Sequence, residues 1–238
     1  MNLTLFLILF LSILLSGSVL FVFGKVTART LKLILAFSGA YLFSLSLIHL
    51  LPEVYDSGGA TIGMFILLGF FLQIVLEIFS EGIEHGHMHV HKEHGNAFPM
   101  AVMLGLCIHS FLEGMPLAHR FQDEATRNSL LAGIILHHIP VAIALMTMLL
   151  DSGIGKRSSL LYLTVFALMA PAGAVSGSWM SETFARDLTL VFDRLMAIVI
   201  GIFLHISTTI LFESYEEHRY NLYKLLTILA GAGLAMLT

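Results

Sequence analysis

The chain has 238 residues, 57% hydrophobic and only 12% charged, with a mean hydropathy of +0.89. Ordinary soluble domains are about 45–50% apolar and about 25% charged, so this composition excludes a water-soluble globule and makes lipid the solvent. A net charge of −4, with no concentrated basic patch, excludes nucleic acid as a partner.

A membrane span needs roughly 20 apolar residues to cross about 30 Å of hydrocarbon. Stretches free of Asp, Glu, Lys and Arg predict eight spans, at 1–24, 33–52, 57–76, 95–112, 128–150, 158–181, 195–212 and 225–238. The last is short, and residues 220–223 extend it through the interface with Lys224 snorkelling. The expected fold is an all-α integral membrane protein with one transmembrane domain over residues 1–238. No basic residue precedes the first span, so it reads as a retained helix rather than a cleaved signal. Short loops rich in Lys and Arg stay cytoplasmic. Eight of the 12 basic residues follow odd-numbered spans and four (Arg120, Arg127, Arg186, Arg194) follow even ones, which puts both termini outside.

In chain order, the polar residues at membrane depth begin with His49 and Glu53, four apart near the outer end of the second span. They are a candidate ligand pair at the outer mouth, and an interfacial anchor explains them equally well. Glu77 and Glu81 repeat the spacing at the inner end of the third span, where solvated loop ends commonly carry acids. The cytoplasmic loop at about 81–97 holds His85, His87, His89, His91 and His94. Five neutral imidazoles in ten residues suit borderline divalent metals, as a collector or sensor.

The fourth span reads Cys107-Ile108-His109-Ser110-Phe111-Leu112-Glu113-Gly114-Met115-Pro116. His109 and Glu113 are four apart, so they share one helical face within about 6 Å and can grip one cation. Cys107 is the single cysteine, a buried thiol with no intramolecular disulfide to form. The fifth span carries His137-His138-Ile139-Pro140, whose adjacent imidazoles point about 100° apart. One of them joins the His109 and Glu113 face, and His137 is assigned that place. Pro116 and Pro140 release the Leu112 and Leu136 carbonyls beside these residues, and Pro171 releases that of Ala167. An ionisable group at mid-membrane costs about 2.5–3.5 kcal/mol on insertion scales, so such a cluster lines a pathway or pins helices together. His205, deep in the seventh span, lines the route or bonds a neighbour. Gly173 and Gly177 form a small-residue row that suits a homodimer contact as well as packing within one bundle.

These features, in this order, resemble the Zrt- and Irt-like (ZIP) family of divalent metal transporters. The resemblance runs the length of the chain: His49-Leu-Leu-Pro-Glu53 closing the second span, the histidine loop after the third, His109-Ser110-Phe-Leu-Glu113-Gly114 in the fourth and His137-His138-Ile-Pro140 in the fifth. It implies a bundle of eight helices in a three-two-three arrangement with the transport site on the central fourth and fifth. It also implies zinc as substrate, with Fe2+, Mn2+ and Cd2+ as relatives, and no resident cofactor. His109, Glu113 and His137 match the family's primary metal ligands, while Ser110 and His138 fall where the family faces a second metal. In the family, a His or Glu commonly follows the fifth-span proline and a Glu often precedes the sixth-span one. Val141 and Ala170 stand there, so the expected site is mononuclear, completed by water, a carbonyl or Ser110.

The expected protein is a multi-pass component of the cell membrane, plasma or inner. Metal passes from His49 and Glu53 to the central site and on to the cytoplasmic histidines. Because imidazole must be neutral to bind metal, uptake weakens as pH falls through the histidine range. Two alternatives stay open: an intramembrane zinc hydrolase, which lacks a second acid in spans four to six to serve as base, and a metal-sensing membrane protein.

Overall fold

The computed structural model describes residues 3–59, 61–80, 82–85, 100–118, 121, 123–183, 189–213 and 222–238. Every regular element among them is helical. The order is α1 (Leu3–Ser18) with its continuation α2 (Leu20–Phe23), α3 (Ala28–Leu45), α4 (Leu51–Gly58), α5 (Ile62–Ser80), α6 (Met100–Gly114), α7 (Glu124–Asp151), α8 (Lys156–Thr183), α9 (Thr189–Glu213) and α10 (Leu222–Leu237). Seven helical stretches are long and apolar enough to cross a membrane. The 16 residues of α10 reach about 24 Å at about 1.5 Å per residue, so it supplies the short eighth.

The helices outrun the charge-free stretches. The second span is helical over Ala28–Asp56, because Arg29 and Lys32 can extend their stems along the helix to the interface. Thr27 caps its start, its hydroxyl accepting the Thr30 N–H at 3.2 Å. Gly24 (φ 77°) and Gly153 (φ 77°) stop the first and fifth spans in a left-handed conformation that favours glycine. An ion pair between Lys25 and Asp151 then joins those two helix ends, which an alternating eight-span path places on one side of the membrane.

The second span is not one regular helix. A π-helical turn over Ser46–Leu50 links α3 to α4, its wider pitch reaching the Leu51 N–H, which donates to the Ser46 carbonyl. Pro52 follows in the first turn of α4 and has no N–H to continue the ladder.

The principal pairs are α5 on α9 and α3 on α10, α6 on α8 and α1 on α7, with α1 on α8 and α3 on α9. α3 also packs on α7, α5 on α6 and α7 on α8, so α6 and α7 are each contacted both by the first three spanning helices and by the last three. Two groups of three helices flanking a central pair produce that pattern, in agreement with the three-two-three expectation. The innermost helix is α7, 78% of whose apolar stretch is buried, against 22% for α1 and for α5. The outer face of α5 turns Met64, Leu67, Phe71, Val75 and Ile78 outward at helical spacing, a stripe suited to lipid.

In lipid there is no hydrophobic drive between helices, so close backbone approach at small residues holds them. A Cβ on Gly69 would lie 1.9 Å from the Ile198 carbonyl oxygen, and one on Gly201 2.0 Å from that of Ile66, at the α5–α9 crossing. Gly231 meets the Phe37 oxygen in the same way at 2.3 Å between α10 and α3. The Gly173 and Gly177 row faces the Phe111 and Met115 carbonyls, at 2.0 and 2.6 Å. That row is therefore used within the bundle, between α8 and the end of α6.

Candidate metal centre

The buried residues of α6 are Val102, Met103, Gly105, Leu106, His109, Ser110, Glu113 and Gly114. They recur every three to four positions, so one face carries both the apolar packing and the chemistry. Gly114 lets α6 approach α8: a Cβ there would sit 2.0 Å from the Ala170 carbonyl oxygen. A 3-10 turn over Met115–Ala118 ends the span, with Pro116 unable to continue the α-helical ladder. In α7, Pro140 lies within a continuous helix. It leaves the Leu136 carbonyl without its helical donor, next to His137.

His109, Ser110, Glu113, His137 and His138 are all fully buried. One ligand atom from each of His109, Glu113 and His137 falls within 4.8 Å of the others. Nε2 of His109 is 3.0 Å from Oε1 of Glu113, so the imidazole and the carboxylate are in direct contact. Nitrogen and oxygen donors gathered this closely in a buried site can share a cation or bond one another. The rings of His109 and His137 stand 5.7 Å apart and nearly perpendicular, at 79°. Two nitrogens and a carboxylate oxygen make three of the four ligands zinc prefers, leaving a position open.

His138 turns to a different set of partners, as the 100° offset predicts. Its Nδ1–H donates to the Ile134 carbonyl at 2.8 Å, and its Nε2 accepts from the Ser110 hydroxyl at 3.0 Å. That nitrogen remains 3.6 Å from Oε2 of Glu113, so Ser110 and His138 form a second row behind the carboxylate. The further positions where the resemblance looks for ligands hold Val141 and Ala170, both buried and apolar.

The outlying candidates are distributed along the bundle. His49 lies in the π-helical turn and donates its Nε2–H to the Ala235 carbonyl at 2.9 Å, tying the second span to the end of α10. Glu53, half-buried, lies one turn on in α4. Glu77 and His205, unconnected in the sequence analysis, meet at 2.7 Å between α5 and α9. Glu81, His87, His89, His91 and His94 lie outside the described residues. His85 closes a 3-10 turn over Ile83–His85 that packs on α7 and α9.

Gln73 and Glu84 are among the buried polar residues that do not stand out in the sequence. Gln73, fully buried in α5, faces His109, its Oε1 3.1 Å from Nδ1. A lone amide inside an apolar span was the available signal. Glu84, counted with the loop, is instead fully buried. Its Oε2 accepts the Ser80 hydroxyl at 2.6 Å.

The profile of the ZIP zinc transporter family matches residues 84–238. The chain belongs to the ZIP family. Zinc transporter ZIP1 of Danio rerio is 28% identical over 153 residues, 63% of this chain and 50% of that protein. Zinc transporter ZIP9 of Micropogonias undulatus is 24% identical over 160 residues, covering 63% and 50%. The ZIP9 protein of Xenopus tropicalis is likewise 24% identical over 160 residues, covering 63% and 51%. The chain spans about half the length of these curated relatives. The family and these relatives are transporters rather than enzymes, as the sequence analysis expects. Within this ZIP chain the matched region takes in α6 and α7, and with them His109, Ser110, Glu113, His137 and His138.

Proposed function

We propose that this ZIP chain carries divalent metal cations, zinc first, across the cell membrane into the cytoplasm. The metal is held in transit by His109, Glu113 and His137 on the fourth and fifth spans. The observation that carries this reading is the convergence of their ligand atoms within 4.8 Å in a fully buried site. A carboxylate and two neutral imidazoles offset part of the charge of zinc and replace part of its hydration. A fourth position left to water, to the Ser110 hydroxyl or to His138 keeps the ion exchangeable, and transport requires that it leave as well as enter.

His49 and Glu53 serve the outer mouth. On the inner side Glu77 with His205, and then Glu84, offer carboxylates on the way to the loop histidines. The apolar Val141 and Ala170 favour one metal at a time. Fe2+, Mn2+ and Cd2+ bind the same donor types, so ligand chemistry alone ranks them little. The reading is tested with a zinc-responsive dye trapped inside proteoliposomes. External zinc brightens the dye with wild-type protein, and with Glu113→Ala the signal stays at that of protein-free vesicles. Equal signals from the two proteins would sink the proposal.

A further inference from the structure

Between Ile62 and Ser80 the third span is almost wholly apolar, yet Gln73 lies inside it, fully buried. An amide at membrane depth needs a partner, and the one it has is functional. Its Oε1 lies 3.1 Å from Nδ1 of His109. An amide oxygen can only accept, so Nδ1 carries the proton. In a neutral imidazole the lone pair is then on Nε2, the nitrogen that faces Glu113 at 3.0 Å.

We propose that Gln73 is a positioning residue for metal binding, holding His109 in the tautomer and ring orientation that present Nε2 to the cation. The inference rests on the transport reading above and adds a residue on a third helix to it. Without an acceptor at Nδ1, the proton is free to sit on Nε2. From there it would be drawn to Glu113, and the two ligands would close on each other instead of on a metal. Metal-bound histidines generally hand their other N–H to a carboxylate or carbonyl for this reason. A purely structural pin between α5 and α6 does not account for the choice of glutamine. Its Nε2 has no hydrogen-bond partner among the described residues, a liability that an apolar side chain of similar length would avoid.

The test uses the full chain in proteoliposomes, reading the zinc concentration for half-maximal uptake separately from the maximal rate per folded protein. Gln73→Met, of similar length but with no acceptor for Nδ1–H, should raise the half-saturating concentration about 10–100-fold with the maximal rate largely kept. Gln73→Glu restores an acceptor and should return it close to wild type, although a buried charge would harm a merely structural contact. If the methionine variant fails to fold, Gln73→Asn, one methylene too short to reach, should show the same rise. A wild-type half-saturation in Gln73→Met or Gln73→Asn overturns the proposal, as does a glutamate variant no better than methionine. Wild-type flux that is lost in Glu113→Ala but unaffected by Gln73→Met removes the role of Gln73 alone. Absence of flux in the wild type removes the transport reading with it.

Discussion

Nε2 of His205 lies 2.7 Å from Oε2 of Glu77, joining α9 to α5 across 128 residues of chain. Their side chains are only 11% and 27% exposed, so the contact is largely shielded from solvent. Residues in one such contact couple by about 0.5–3 kcal/mol in double-mutant cycles. His205→Ala and Glu77→Gln should each lower the thermal midpoint in detergent, with the double variant no lower than the worse single one. Additive losses would show that the two side chains act independently.

The α6–α8 crossing depends on the missing side chain of Gly114, where a Cβ would sit 2.0 Å from the Ala170 oxygen. Backbone is on the far side, so the helices must separate. Gly114→Ala should cost about 1–3 kcal/mol, as overpacking does, and should shift Glu113 enough to impair uptake. Gly233, in α10 with open space around it, is the control: Gly233→Ala should be neutral or stabilising. Thermal unfolding of the two variants side by side decides it, and equal midpoints would contradict the close crossing.

Asp123 caps α7. Its carboxylate accepts the Ala125 backbone N–H, and the Thr126 hydroxyl donates to Oδ2 at 3.1 Å. The Ala125 N–H holds the carboxyl below the ordinary carboxylate range. A depressed folded value stabilises above the unfolded value of about 3.9, and this contribution is lost as pH falls through the folded one. Asp123→Ala should therefore lower the thermal midpoint at neutral pH, with the difference shrinking in acid. A gap that persists undiminished at low pH would show that the charged cap is not its source.

Val141 and Ala170 leave the second row of the centre without additional ligands. A variant with alanine at His85, His87, His89, His91 and His94 should bind a single zinc ion per chain at equilibrium dialysis. Two tightly held ions in that variant would mean that Ser110 and His138 build a second metal position.

The fold was legible because lipid imposes simple rules. Charge-free runs located the spans, and the helices overshoot them through charged residues at their ends, such as Arg29 and Lys32 in the second span and Glu124 and Arg127 in the fifth. The His109 and Glu113 pairing was legible from spacing on one helix, and the 100° offset separated His137 from His138. What escaped depended on contacts between helices distant in sequence. Nothing local tells that Glu77 meets His205, or that Gln73 turns towards His109 rather than Cys107. The π-helical turn escaped because Pro52 announces a break in the ladder without saying whether the helix kinks, stops or widens. Glu84 was read with the loop because its neighbours are histidines and glycine, although the turn holding it packs on α7 and α9.

The most direct test of the central claim, that zinc crosses through His109, Glu113 and His137, is the initial rate of radioactive zinc uptake by proteoliposomes bearing His137→Ala, beside wild type. The rate should fall to that of empty vesicles, with the protein still folded and monodisperse. Uptake at the wild-type rate would contradict that claim and move the path away from the α6–α7 face.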